Sequence, residues 1–364
     1  MTQRPIRMIS HSYVDEANTN AQNLTVKEIA RRLDPDRFAI TLFASGSPDS
    51  RLLHRPNVRV VRFGQHGRAA GFLRRSLCGS YAVNFYVRNE WVDALYLRTR
   101  PILARKQVAA YHVVAGLGDR DDDPPVFDAF ARGIRRCQVV ACNSDHVADT
   151  VEARLGMRLP VIRNGVNRER FYPDQRPRRP TRPQVLFVGS LQERKRPRVL
   201  LDAAAQIPEA EFRIIGSGPL RDEIATLAQE LPNVSLLPTV EQSKLAAEMR
   251  QADIFLLTSA SPTSEGAPQV LAQAAASGLP IVAFAAYRPE AVIDHENGFA
   301  VRDDQEMVEK VRLLVGRPDL RSTMAETGLD LVKERFDWDR IVRQWEDMLE
   351  DAVARVGGLE PEAG

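Results

Sequence analysis

Cysteine is scarce in this chain. Only Cys78, Cys137 and Cys142 occur among 364 residues. The number is odd and the spacing fits no metal site, so reduced thiols in a cytoplasmic protein are expected. No apolar run approaches the ~20 residues needed to cross a bilayer. The opening "MTQRPIRMISHSYVDE" lacks the pattern of a signal peptide and reads as a short strand running into polar residues. The formal net charge is only +2, which argues against a dedicated nucleic-acid binder. No internal repeat is visible. No G-x-G-x-x-G follows the first strand, which argues against a dinucleotide-dependent dehydrogenase.

What is present suits a soluble globular protein, with 44% hydrophobic and 27% charged residues. The length exceeds one ordinary core and predicts two domains. Charge is divided unevenly. Residues 1–165 hold 25 Lys+Arg against 16 Asp+Glu, and the remainder holds 25 against 32. The basic first half is expected to meet something anionic.

Both halves alternate strands with helices, which predicts mostly parallel sheets covered on both faces. In the first half, strands are read at "IRMISHS", "FAITLFA", "VRVVRF", "ALYL", "QVAAYHVV", "QVVACN" and "PVIRNGV", with helices at 18–33 and 145–155. The stretch "PDQRPRRPTRP" carries four prolines and four arginines and reads as a stiff linker. A second alternating set follows at once. The predicted divisions are 1–172, a linker at 173–183, a second domain at 184–335, a final helix at 336–355 and a disordered tail at 356–364. The fold class is α/β, two doubly wound Rossmann-like domains. The cleft between them, where strand carboxyl ends face each other, is the expected place for chemistry.

Several strand ends of the second half suit an anionic ligand. In "FVGSLQERKRP", Gly189 lets the backbone pass close to a ligand, and Lys195 can meet a diphosphate as a point charge. In "IIGSGPL", Gly216 and Gly218 invite close approach to a base or ribose, or merely a turn, and Pro219 reads as a helix start. In "TSEGAPQVLAQ", Pro268 reads as the first helical residue. The N–H groups of Ala267, Gln269 and Val270 then form an anion site at a helix start. A carboxylate would be repelled by a diphosphate, so Glu265, beside Gly266, is expected to accept hydrogen bonds from sugar hydroxyls.

The run "NGVNRERFYP", "FVGSLQERKRP", "FRIIGSGPL", "ADIFLLTSASPTSEGAPQVLAQAAASGLPIVA" and "ENGFAVRDD" resembles family 4 of the retaining glycosyltransferases, which have the GT-B fold. The likeness covers roughly residues 137–345, and 6–136 more faintly. It implies sugar transfer from a nucleotide-sugar with retention of configuration, without a metal or other cofactor, and with the donor in the second domain. It implies that Glu265 meets the donor sugar and Lys195 the diphosphate. His112 would face the sugar across the cleft, where the bland reading is a satisfied core histidine. The final helix would return to the first domain.

Three positions depart from the family pattern. Gln273 stands where a glutamate holds the ribose. That exchange keeps one acceptor, and costs roughly 1–2 kcal/mol or about tenfold in donor affinity. Ser190 replaces an arginine, for which Arg194 could substitute by turning inward. The glycine pair before a later glutamate, here Glu290, is replaced by Tyr287 and Arg288. A second glycine pair is missing after the first strand, where Asn18, Thr19 and Asn20 are candidate acceptor or phosphate contacts, or a helix cap. These departures keep a rival in view, a nucleotide-sugar-binding or assembly subunit whose site has decayed. An epimerase or phosphorylase of the same fold is a further alternative.

Two other stretches remain. The aspartates in "GDRDDDPP" tempt a metal reading, against which stands a solvated loop. Gly67 to Trp91 mixes aromatics with arginines and suits either a helix on an anionic membrane or one packed on its own sheet. Glycan or lipid-linked acceptors in polysaccharide or glycolipid assembly, and peripheral contact at the inner face of the membrane, follow by analogy.

Overall fold

The computed structural model describes residues 4–16, 20–63, 68–87, 91–113, 124–174, 182–260 and 267–357. The chain divides into two compact units. The first joins Met1–Asn164 to Trp338–Gly364, and the second is Gly165–Asp337. The boundary thus falls at Asn164 and not at 172, because Val166 and Phe171 pack into the second core and the Val166 N–H donates to the Phe336 carbonyl (2.9 Å).

The first unit runs β1 (Ile6–Tyr13), α1 (Ala21–Arg32), β2 (Phe38–Ala44), α2 (Ser50–Leu53), β3 (Val58–Arg62), α3 (Arg68–Cys78), β4 (Val83–Val87), α4 (Trp91–Leu103), β5 (Val108–Val113), α5 (Pro124–Arg135), β6 (Val139–Cys142) and α6 (Asp145–Leu155). Its parallel sheet has the order β3-β2-β1-β4-β5-β6. The second unit runs β7 (Gln184–Val188), α7 (Pro197–Gln206), β8 (Glu211–Ile215), α8 (Arg221–Ala228), β9 (Val234–Leu237), α9 (Gln242–Gln251), β10 (Ile254–Leu257), α10 (Gln269–Ala276), β11 (Ile281–Phe284), β12 (Gly298–Val301), α11 (Asp304–Gly316) and α12 (Pro318–Arg335), and α13 (Trp338–Gly357) ends the chain. The second sheet is also parallel, with the order β12-β11-β10-β7-β8-β9. The two Rossmann-like sheets are as predicted.

The local differences have physical reasons. "ALYL" is not a strand but part of α4. Val92, Asp93, Tyr96, Leu97 and Arg100 are its buried residues, at helical spacing. The strand slot belongs to "VNFYV", whose five residues are all buried. The described part of Gly67 to Trp91 therefore holds α3 and β4 and not one amphipathic helix. Phe72 of α3 is buried against its own sheet while Arg74 and Arg75 stay exposed. "PVIRNGV" forms only a one-residue bridge, Val161 to Cys142. The helix α5 has no counterpart in the sequence reading.

Helices α1 and α13 share one core with one face of the first sheet, through Val26, Ile29, Trp338, Ile341 and Trp345. Helices α4, α5 and α6 cover the other face, through Tyr96, Leu97, Phe130, Ile134 and Val151. Polar anchors fix α13. The Asp34 N–H donates to Glu346 (2.7 Å), and the Arg37 guanidinium donates to Glu346, Asp347 and Glu350.

Candidate functional site

The second sheet reverses its strand order between β10 and β7. At such a switch point the two following loops diverge and leave space at the carboxyl ends. The β7 loop carries Gly189, Ser190 and a 3-10 turn at Glu193–Lys195 before Pro197 opens α7. The β10 loop carries buried Thr258 and Ser259. The Thr258 hydroxyl donates to the Lys195 carbonyl across 2.6 Å, joining the two loops. Lys195, only 8% exposed, is thereby fixed at the switch point. Arg194, the expected substitute cation, instead stays exposed. Ser190 accepts from Gln192 Nε2 (2.5 Å) within its own turn. The next residue, Arg196, adopts φ 49° and donates to Asp304 (2.5 Å).

Glu265 and Gly266 lie outside the described residues. Pro268 is not the first helical residue but the cap before α10, with φ −59° and ψ 112°. Ala267 precedes it outside the helix. The helix therefore opens with the N–H groups of Gln269 and Val270, since Leu271 already donates to the Pro268 carbonyl (3.0 Å). Gln273 lies one turn beyond Gln269 on the same face. Its Nε2 donates to Oε1 of Gln242 at the start of α9 (3.2 Å). That bond turns the amide so that its own Oε1 is the acceptor left for a ligand. Gln242 was missed from sequence because its role depends on which helix starts adjoin.

The glycines have a reason within the protein itself. A Cβ on Gly216 would sit 1.9 Å from the Gly189 carbonyl oxygen, and one on Gly218, at φ 156°, 2.4 Å from that of Leu191. These residues let the β7 and β8 loops pass against each other, with Leu191 N–H donating to Ser217 O (3.0 Å). Their close approach is to protein backbone. Pro219 does not start a helix either; α8 begins at Arg221. Tyr287 is fully buried in a packed 3-10 turn, and Arg288 follows at φ 48°.

In the first unit His112 does not present its ring to a ligand. It is 3% exposed, stands edge-on to Trp345 and Tyr86, and uses both ring nitrogens. Nε2 faces the Ile162 carbonyl (2.8 Å) and Nδ1 faces the Tyr86 hydroxyl (3.3 Å). A carbonyl only accepts, so Nε2 carries the proton and Nδ1 accepts from Tyr86. Burial lowers its pKa from 6.5 to about 4, outweighing those backbone hydrogen bonds that favour the proton. His112 is a neutral packing residue. Asn20 is the N-cap of α1, accepting from Gln22 N (3.0 Å) and Asn23 N (3.3 Å); its side-chain oxygen serves the helix. Asn18, Thr19 and the aspartates at 119–123 lie outside the described residues.

The sequence reading also missed the switch point of the first sheet, between β1 and β4. There His11 Nδ1 lies 3.9 Å from Asp93 Oδ2, both buried, and its Nε2 lies 3.3 Å from the Tyr13 hydroxyl. Tyr86 adopts φ 62° beside shifts of register in both strands. Only the strand order brings His11 and Asp93 together.

Comparison with known proteins accounts for this architecture. A model described as "Glycosyltransferase Family 4" matches residues 22–170, and one described as "Glycosyl transferases group 1" matches residues 182–317. An uncharacterized glycosyltransferase of Methanocaldococcus jannaschii is 28% identical over 208 residues, 56% of each chain. The chain spans about half the length of the first curated relatives it matches. Among solved structures, sucrose-phosphate synthase from Thermosynechococcus elongatus superposes with a TM-score of 0.79 at 19% identity, covering 97% of this chain and 100% of that one. The Anabaena protein HepE, in complex with UDP and glucose, gives 0.76 at 19% identity, covering 95% and 100%. Two parallel Rossmann-like sheets, these structural matches and both family matches lead to one conclusion: the chain belongs to the family 4 glycosyltransferases and has the GT-B fold.

Proposed function

We propose that this protein is a retaining, metal-independent glycosyltransferase. It moves a sugar from a nucleotide-sugar bound by the second unit to a glycan, lipid-linked or small-molecule acceptor, in polysaccharide or glycolipid assembly. The observation that carries the proposal is the tie between Thr258 and the Lys195 carbonyl. It holds the main chain of the buried Lys195 beside the carboxyl ends of β7 and β10, in the region where a parallel sheet receives an anionic ligand. Lys195 and the opening N–H groups of α10 would hold the diphosphate, and Gln273 would accept from a ribose hydroxyl. Glu265 would accept from hydroxyls of the sugar.

In the proposed reaction the bond between the anomeric carbon and the diphosphate oxygen breaks. The acceptor oxygen bonds to that carbon on the same face. Its proton passes to the departing diphosphate, so no protein base is required. The protein's part is positioning and stabilisation of leaving-group charge, for which removal of one preorganised donor typically costs about a hundredfold in rate. Lys195→Ala is expected to lose about that much.

Purified protein is to be incubated with UDP-, GDP- and ADP-sugars, recording thermal shifts for the native chain and for Glu265→Ala. A saturable shift with one intact donor, weakened in the variant, names the donor and places Glu265 on it, and turnover of that bound donor then distinguishes transfer from binding alone. Because HepE was crystallised with UDP and glucose, UDP-sugars come first. Absence of any shift favours the second reading, a binding or assembly subunit with a decayed site. Ser190, turned onto Gln192 where the family carries an arginine, is the observation behind that reading.

A further inference from the structure

We propose that Arg196 is a positioning residue for the donor diphosphate, acting through Lys195 while its own charge is turned onto Asp304. The inference rests on the donor reading above and names what sets the direction of Lys195. Arg196 is unfavourable where it stands. At φ 49° it lies in the left-handed region, which residues with a Cβ disfavour. Pro197 follows it, and the residue before a proline prefers extended backbone. Strain of this kind persists only where the surroundings enforce it, and it gathers at functional sites.

Three contacts hold Arg196 there. Its N–H donates to the Glu193 carbonyl (2.9 Å) and closes the 3-10 turn. Its guanidinium donates to Asp304 Oδ2 at the start of α11 (2.5 Å) and lies over the ring of Phe284 at the end of β11 (5.2 Å). The peptide joining Lys195 to Arg196 is held as well, its carbonyl accepting from Thr258 (2.6 Å). Leu257 pairs with Ala283 across β10 and β11, so Thr258 and Phe284 are the next residues on adjoining strands. The β7 loop is thus fastened at residue 195 by β10 and at residue 196 by β11 and α11. The side chains of Arg196 and Asp304 are 32% and 49% exposed, and ion pairs this open add little to stability. A strained residue with a weak ion pair is poorly explained by stability. Direction explains it better. A left-handed residue bends the chain immediately after Lys195 and limits where that buried side chain can point.

The full chain is titrated calorimetrically with UDP, GDP and ADP, and the tightest of the three is carried to the variants, each of which is also melted. Arg196→Gly removes the clamp and fits φ 49° without strain. It should bind that diphosphate about tenfold more weakly yet melt within about 4 °C of the native chain. Asp304→Ala should weaken binding by a similar factor. Arg196→Gly/Asp304→Ala should be no weaker than the weaker single variant, because both act through one contact. Arg196→Lys, which can still reach Asp304, should bind better than Arg196→Gly. Tighter binding by Asp304→Ala would overturn the proposal, because Arg196 released from Asp304 would then be meeting the diphosphate itself. Unchanged affinity in both single variants, with Lys195→Ala weakened, would overturn it and leave the donor reading standing. Unchanged affinity in Lys195→Ala, or no binding of any of the three by the native chain, would overturn the donor reading and this inference together.

Discussion

His112 donates from Nε2 to the carbonyl oxygen of Ile162 across 2.8 Å, so a histidine at a strand end is spent on holding its own unit together. The unfolded chain protonates this ring near 6.5, and the folded chain only near 4. Between those values the unfolded state binds the extra proton. Stability from this group is therefore complete above pH 6.5 and drains away as pH falls towards 4, by about 3 kcal/mol in all. His112→Gln should lose about 1–3 kcal/mol at pH 7.5 and show a flatter decline. Urea unfolding at pH 7.5 and 5 measures both, and an unchanged pH slope would sink the assignment.

Gly216→Ala should be among the most damaging single-methyl additions in the chain. The new Cβ would lie 1.9 Å from the Gly189 carbonyl, and that oxygen belongs to backbone that cannot step aside cheaply. A loss of about 3 kcal/mol or more is expected. Gly316→Ala, whose Cβ meets nothing within 4 Å, is the matched control. Thermal melts of the two variants side by side decide the matter; similar melting temperatures would contradict the crossing of the β7 and β8 loops.

Much of the fold could be read from the residues, because β2, α6 and α7 carry unbroken hydrophobic periodicity between clear breakers. "ALYL" and "VNFYV" were misassigned because short apolar runs look alike until the sheet order shows which one is covered on both sides. The site divides in the same way. Lys195 and the start of α10 were legible as helix-start chemistry. The second partners were not: Thr258, Gln242 and Ile162 lie 63, 31 and 50 residues from the groups they hold. Asn20 was ambiguous for a related reason, since an asparagine before a helix suits a cap and a ligand contact equally.

Gln273→Glu should tighten binding of the donor that shifts the melting temperature. A carboxylate would replace a neutral acceptor towards a ribose hydroxyl, worth about tenfold. The Gln242 amide can rotate to donate to it. Gln273→Ala should weaken binding by a similar factor. Calorimetric titration of the three proteins gives the order, and a weaker Gln273→Glu would remove Gln273 from the ribose.

Acid should also act on the charges around α1. Burial alone would raise the carboxyl pKa values of Asp49 and Glu28. Arg51 with Lys27, and Arg32 with Arg31 and Arg51, outweigh it and hold them below 3.8 and 4.5 respectively. Their contribution to stability is thus present above those ordinary values and lost as pH falls through the depressed ones. Arg51→Gln removes a cation from both carboxylates. Its acid transition, followed by circular dichroism, should begin at higher pH than that of the native chain.

The return of α13 to the first unit has a consequence for synthesis. Trp338, Ile341, Trp345 and Leu349 fill the core beneath β1, β4 and β5, and Glu346 closes over the Asp34 amide. A ribosome delivers these residues only after the whole of Gly165–Asp337 has emerged. The unit begun first is therefore completed last, and the second sheet folds while the first still has an open face. A nascent chain halted before Trp338 would expose that face to chaperones, and the last turns of α13 act as the latch that ends its dependence on them.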